Sequence, residues 1–309
     1  MKNVFTFLLL LFSLLCNGQS PKLFTTDKEL SSSLINQIYQ DRNGFIWIAT
    51  EDGLNRYDGA KFTIYKHEPN NEHSLAHNFV RTVFEDSKGH LLIGTYIGIQ
   101  MYDPATDNFT PLAKLEDTGE TLESNINSFI ERKNGEIWVS GNVLCKLDIK
   151  DHLLTVRKVD IAVTSPGSLF EDKKQNVWMA KGEEGVYQLT PDNQLTLHLS
   201  KDNGYVKSIC EDQRGNIYVG SIRKGLFIYD KERKTFVPID LKEKGELPVC
   251  FLYSGIPNEL YIGTDGKGVV IYNIRTHEIS EYKFDNNYFD SGNSKIHSIL
   301  KDNSGNLWL

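Results

Sequence analysis

Three sets of residues in this sequence have types and spacing that could do chemistry. The first is a series of paired carboxylates, Glu85-Asp86, Glu171-Asp172 and Glu211-Asp212, the residue type that glycosidases use as acid and base. The second is Asp302-Asn303-Ser304-Gly305, which has the opening of a Ca²⁺ loop but no Glu at its twelfth position. The third is a column, Asn36, Arg81, Asn127, Lys207, Cys250 and His297, in which most members follow an Ile or Val while the residue type keeps changing. Arg81 and Lys207 could hold a carboxylate or sulfate. From this column Asn36, Arg81, Asn127, Lys207 and His297 are the candidate ligand-binding residues. No catalytic residue, metal ligand or cofactor site is assigned. The eight His are scattered, no Cys-x-x-Cys occurs, and no Gly-rich phosphate loop, nucleophile elbow or zinc helix is present.

What must position these residues is an internal repeat. Asp41-Arg42-Asn43-Gly44-Phe45-Ile46-Trp47-Ile48-Ala49-Thr50 returns six times in recognisable form, and the positions equivalent to Trp47 are 92, 138, 178, 218, 261 and 308. Their spacings are 45, 46, 40, 40, 43 and 47 residues. Each copy reads as an apolar strand, an Asp-x-x-Gly turn, an Ile-Trp-Ile strand, a second Gly turn, a strand ending in Tyr-Asp, and a short fourth strand. Gly supplies the positive φ of a tight hairpin, and β-branched and aromatic residues suit a pleated sheet. Four antiparallel strands per 40–45 residues predict an all-β protein, a β-propeller of about six blades plus the start of a seventh. The blades are expected to start near 33, 78, 124, 166, 204, 247 and 294, within a domain spanning 19–309. The carboxylate pairs recur at one blade position, so they are read as turn structure. The recurring Trp, Gly and Tyr-Asp columns are read as framework.

The copies from Asp41 to Gly59 resemble the "two-component regulator propeller" repeat, and Glu29-Leu30-Ser31-Ser32-Ser33-Leu34-Ile35 resembles the segment that opens that family's first blade. The resemblance runs over about residues 21–309. It departs from the pattern where Gln175 replaces the turn Gly, where Gly255 and Asn258 replace Asp and Gly, and where Val143 to Asp148 replace the Gly-Leu-x-x-Tyr-Asp element. These departures leave the edges of the third, fourth and sixth blades open.

The resemblance implies the periplasmic sensor of a large membrane receptor. In that family a second propeller, an immunoglobulin-like domain, a transmembrane helix and a histidine kinase commonly follow, and many members are hybrid kinases sensing polysaccharide breakdown products. The function expected is a ligand-sensing propeller that detects a glycan-derived oligosaccharide and signals to a phosphorelay, with no enzymatic activity in this segment. The expected partners are a small molecule or oligosaccharide and, for the parent, a second copy of itself. Membrane anchoring would come only from downstream regions. The alternative is a secreted propeller enzyme acting on glycans, a lyase or sialidase-like hydrolase, or a stand-alone binding protein. For the sialidase version, Arg42, Arg56 and Arg81 are present, but the Asp-to-Gly spacing is longer than in an Asp-box and no nucleophile constellation is identifiable.

Composition bounds the remainder. The 309 residues carry a formal charge of −7 and are 39% hydrophobic, enough for a core and the wrong sign for a nucleic-acid binder. Lys2 followed by the apolar run from Val4 to Leu15 and by Cys16-Asn17-Gly18 reads as a cleavable signal peptide over 1–18, too short for a span of about 20 residues. Its removal takes Lys2 and shifts the charge to −8, and leaves Cys145, Cys210 and Cys250, an odd number read as buried free thiols. The chain is expected to be exported, and the stop at Leu309, early in a blade, to mark the front part of a longer receptor.

Overall fold

The computed structural model describes residues 21–199, 204–241, 247–283 and 295–309, and the proposed signal peptide lies outside them. Among the described residues every regular element is a β-strand, and no helix is long and apolar enough to cross a membrane. The strands form six blades arranged as a propeller, with a two-stranded hairpin in the seventh position. The first blade is typical. Its strands Ile35–Gln40, Ile46–Thr50, Gly53–Tyr57 and Phe62–Tyr65 pair antiparallel in sequence order. The inner strands of the following five blades are Val80–Glu85, Ser128–Glu131, Leu169–Glu171, Val206–Glu211 and Val249–Ile256.

The core sits between blades. The second strand of each is buried along its length, as in Ile46–Thr50 and Ile217–Ser221, because it has a neighbouring sheet on both faces. Trp47, Trp178 and Tyr218 are almost fully buried. Close packing dictates the small residue near the end of that strand. A Cβ on Gly94 would lie 2.6 Å from Ile126 Cγ2 of the next blade and 2.6 Å from Thr82 Cγ2, so the close approach of two sheets excludes a side chain there.

The departures from the repeat do not interrupt the sheets. Gln175 adopts φ 66° and Asn258 φ 62°, so each takes the left-handed conformation that Gly44 supplies in the first blade. In the sixth blade Ile256 faces Glu259, closing the hairpin on Pro257-Asn258. Leu144–Lys150 forms a regular third strand. One feature differs from the four-stranded expectation. The third blade gains a fifth strand, Lys114–Leu115, running parallel to Leu153–Lys158. The second blade's outer strand is only Asn108–Phe109, and the long connector after it covers the edge of the next sheet, which would otherwise present unpaired backbone groups.

The seventh position is held by Leu300–Lys301 and Leu307–Trp308. Ile296, Ile299 and Leu307 pack with Tyr261 and Val269 of the sixth blade, while Leu300 and Trp308 pack with Ile38, Ile46 and Ile48 of the first. Phe24 stacks on Trp308, with centroids 5.7 Å apart and planes 3° from parallel.

Candidate functional site

Each inner strand has two ends. At the turn end the Asp of Asp-x-x-Gly closes the hairpin with its own carboxylate. Asp172 Oδ1 accepts the N–H groups of Lys174 and Asn176, both at 2.9 Å, and its Oδ2 accepts Asn176 Nδ2 at 2.8 Å and Trp178 Nε1 at 2.9 Å. Asp41 does the same for Trp47 (2.7 Å) and Asp302 for Trp308 (2.9 Å). In the second blade His90 replaces the indole as Asp86's partner at 2.7 Å. In the third, where Arg132 takes the Asp position, Glu136 accepts the Trp138 indole at 3.1 Å. The hydrogen bond from Lys146 holds Glu136 down at about 2 against the effect of its burial.

Glu85 and Glu171, from two of the carboxylate pairs, and Glu131 of the third blade latch blade to blade. Glu85 accepts Arg42 N–H at 2.7 Å, Glu131 accepts Ser87 N–H at 2.7 Å, and Glu171 accepts Lys133 N–H at 2.6 Å. Gln40 accepts Asn303 N–H at 2.7 Å, so the seventh hairpin is joined to the first blade by the latch used elsewhere in the ring. Further along the inner strands Ser298 Oγ accepts Ile38 N–H at 3.0 Å, as Ser208 Oγ accepts Leu252 N–H at 3.1 Å. Glu85, Asp86, Glu171, Asp172 and Asp212, and Asp302 of the four residues resembling half a Ca²⁺ loop, are therefore occupied in holding turns and blades.

The other end is the mouth of the central channel, where the changing column lies. Ile35 faces Thr50 and Gln37 faces Ala49, so Asn36 is an extra residue, a β-bulge. Arg81, Lys207 and Cys250 are the extra residues of equivalent bulges in their blades. A bulge re-aims its side chain, which is why one position in an otherwise repeated strand is free to change. Asn127 lies just ahead of its strand and donates its N–H to Ser140 O at 2.8 Å. Its Nδ2 donates to Pro166 O at 3.2 Å, and Asn36 Nδ2 donates to Val80 O at 2.7 Å, so both amides brace the next blade.

The cationic members converge. Lys207 Nζ is 3.3 Å from His297 Nδ1, although 90 residues separate them in sequence. Burial, and behind it the positive charges of Lys295 and Arg81, push Lys207 below the usual lysine range. Burial, with Lys207 and Lys295 beside it, pushes His297 down to about 4. Because Lys207 can only donate, Nδ1 of His297 accepts, and the ring is a neutral imidazole with its proton on Nε2. Cys250 is buried beside Lys207. Burial also pushes the Cys145 thiol up to about 11 and that of Cys210 up to about 12. All three cysteines are free.

Sequence reasoning missed the surroundings of this column. Lys295 pairs with Asp265 at 2.8 Å. The Arg81 guanidinium lies 5.3 Å from the Phe79 ring centre. Phe79 and His77 in turn flank Tyr96, which is 53% exposed. These residues sit at repeat positions whose type changes from blade to blade, so no recurring residue marks them. Among the described residues no group of three His, Cys, Asp or Glu could hold a metal ion.

The family model described as "Two component regulator propeller" matches residues 29–52, 74–96 and 200–223. "Histidine kinase P4" of Formosa agariphila is 37% identical over 83 residues, which are 25% of this chain and 6% of that protein. Among solved structures, the extracellular domain of a hybrid two component system from B. thetaiotaomicron superposes with TM-score 0.78 at 22% identity, covering 93% of this chain and 40% of that one. Virginiamycin B lyase from Staphylococcus aureus superposes at 0.66 with 13% identity, covering 90% of this chain and 91% of that one. These two likenesses establish the propeller fold. The chain spans less than half the length of the histidine kinase and of the two component structure.

Proposed function

Because the chain is built from two-component regulator propeller repeats, we propose that it is the N-terminal, extracytoplasmic ligand-sensing propeller of a membrane hybrid two-component sensor histidine kinase. It works as a binding module with no catalytic step of its own. It is exported by residues 1–18, takes a glycan-derived oligosaccharide at the channel mouth, and signals across the membrane to a phosphorelay. The observation that carries this reading is the pairing of those repeats with an inner strand whose turn end repeats one hydrogen-bonded scheme in most blades and whose mouth end varies. A sensor family needs such a division: a fixed scaffold and a replaceable contact surface. The match to a histidine kinase over 83 residues supports the same reading.

The mechanism follows from thermodynamic coupling. Ligand at the mouth would favour one arrangement of two receptor copies over another, and the kinase would follow that shift. Only a ligand with different affinity for the two arrangements can do this. The test is kinase output of the intact receptor against a panel of plant and algal oligosaccharides. At least one is expected to raise or lower output. Unchanged output across the panel, or a downstream reading frame without a transmembrane helix and kinase motifs, overturns the proposal.

A further inference from the structure

Among the described residues Arg81 and Lys207, two of the cations at the channel mouth, have no carboxylate partner. Among the described residues Arg81 forms no hydrogen bond and no ion pair, and its Nε is buried without an acceptor. Lys207 likewise has no carboxylate partner among them, and its contact is the neutral His297 ring at 3.3 Å. Among the described residues Asp265 is the carboxylate that acts on Lys207 and His297, and Lys295 engages it at 2.8 Å. The groups facing His297 are thus Lys207, Lys295 and Asp265, with Cys250 and Arg81 around Lys207. Everywhere else the inner-strand polar groups described above are bonded to a neighbour. A buried donor without an acceptor is unfavourable, and like charges brought together add to that.

We propose that the channel mouth is an anion site, which takes the carboxylate or sulfate ester of an acidic saccharide between Arg81 and Lys207, with the exposed ring of Tyr96 against the sugar. This rests on the sensor reading and specifies its ligand. The guanidinium offers a fork of donors that matches two oxygens of a carboxylate or sulfate. The ammonium adds a compact charge from the opposite wall, three blades away. His297 positions Lys207 by accepting from it, and leaves Nε2–H as a further donor. The aromatic run from Phe79 under Arg81 to Tyr96 gives the apolar face of a sugar ring a surface beside the charged group. Arg81 and Lys207, on strands remote in sequence, each reach the site from a position where the sheet register is broken, and His297 joins them from just ahead of Leu300–Lys301.

The experiment is calorimetric titration of this chain with trigalacturonic acid, its methyl ester, and a carrageenan disaccharide with and without its sulfate. The acidic form of one pair is expected to bind at least about tenfold tighter than its neutral counterpart, and to weaken with salt. Which pair responds identifies carboxylate or sulfate. Arg81→Gln and Lys207→Gln should each weaken the acidic ligand about tenfold and leave the neutral one unchanged, with thermal melting confirming the fold. The His297 ring resonance, followed by NMR, should titrate near 4 in the free protein and at higher pH with the anion bound. Equal binding of acidic and neutral forms, or full affinity in both variants, overturns the anion site. Neutral saccharides binding alone would remove the anion site and leave the sensor reading intact. Binding by none of the four removes the anion site, and the receptor panel then decides the sensor reading separately.

Discussion

The two ends of the inner strands are made from the same repeat and have opposite chemistry. At the turn end Asp41, Asp172 and Asp302 each bind an indole and their own turn backbone, with distances between 2.7 and 3.0 Å. At the mouth end Asn36, Arg81, Lys207 and Cys250 occupy one geometric position with four different side chains. The difference is one of satisfaction. Where a polar group is bonded within its own blade and to the next, substitution is punished and the residue type repeats. Where the bulge re-aims a side chain, the sheet does not fix its type: Asn36 braces the next blade, Cys250 is buried, and Arg81 and Lys207 have no carboxylate partner among the described residues.

The largest effect that would test this contrast is Asp172→Ala. It strands the Trp178 indole and two turn N–H groups in a buried place, and should lower unfolding free energy by about 3 kcal/mol, read by urea denaturation. Arg81→Ala should not lower it, because the change removes a buried donor that has no acceptor among the described residues. Similar losses for the two would abolish the distinction.

Gly94→Ala should cost about 2 kcal/mol through overpacking, because its Cβ would meet Ile126 Cγ2 and Thr82 Cγ2 at 2.6 Å. Ile126→Ala in the same chain removes Cγ2 and should recover part of that, giving a non-additive cycle. Additive losses would mean that the contact with Ile126 is not what fixes Gly94.

Acid should weaken the mouth through His297. Its folded value, about 4, lies below the ordinary 6.5, so the unfolded chain takes up the proton first. Its stabilising contribution is complete above about 6.5 and falls as pH drops from 6.5 to 4. His297→Gln should flatten the stability profile in that window. Asp302 behaves differently. Burial opposes its ionisation, but the bonds from Trp308, Asn306 and Ser304 prevail and hold it below the usual carboxylate value, so its contribution is lost only at lower pH, as the folded carboxyl protonates.

The smallest effect is at Gln175. Its φ of 66° is a conformation that Gly adopts without strain. Gln175→Gly should raise the melting temperature slightly, by no more than about 1 kcal/mol of stability, since the extra backbone freedom of Gly in the unfolded chain offsets part of the relief. A loss of stability would show that the Gln side chain contributes to the fourth blade's turn end.

Much of the fold was legible because the repeat writes the same physical solution several times. The Asp, Gly and Trp columns report a turn whose carboxylate, backbone and indole bond to one another within seven residues, and such local bonding leaves a fixed spacing. The blade edges at Gln175, Asn258 and Val143 were not legible, because a left-handed Gln or Asn closes the same turn that Gly does, and tertiary packing overrides the missing signal. The fifth strand Lys114–Leu115 was also hidden. Two residues that pair with a strand nearly 40 residues later leave no periodic trace.

The sequence by itself determined the propeller, its blade count and the position at which residue type is free, since each follows from periodicity and local hydrogen bonding. Three facts came from the tertiary structure: this position is a bulge, Lys207 meets His297 at 3.3 Å, and Arg81 Nε has no acceptor among the described residues. Those facts depend on closing a ring, which brings residues 90 apart to the same axis, and no local pattern encodes what lies across a channel.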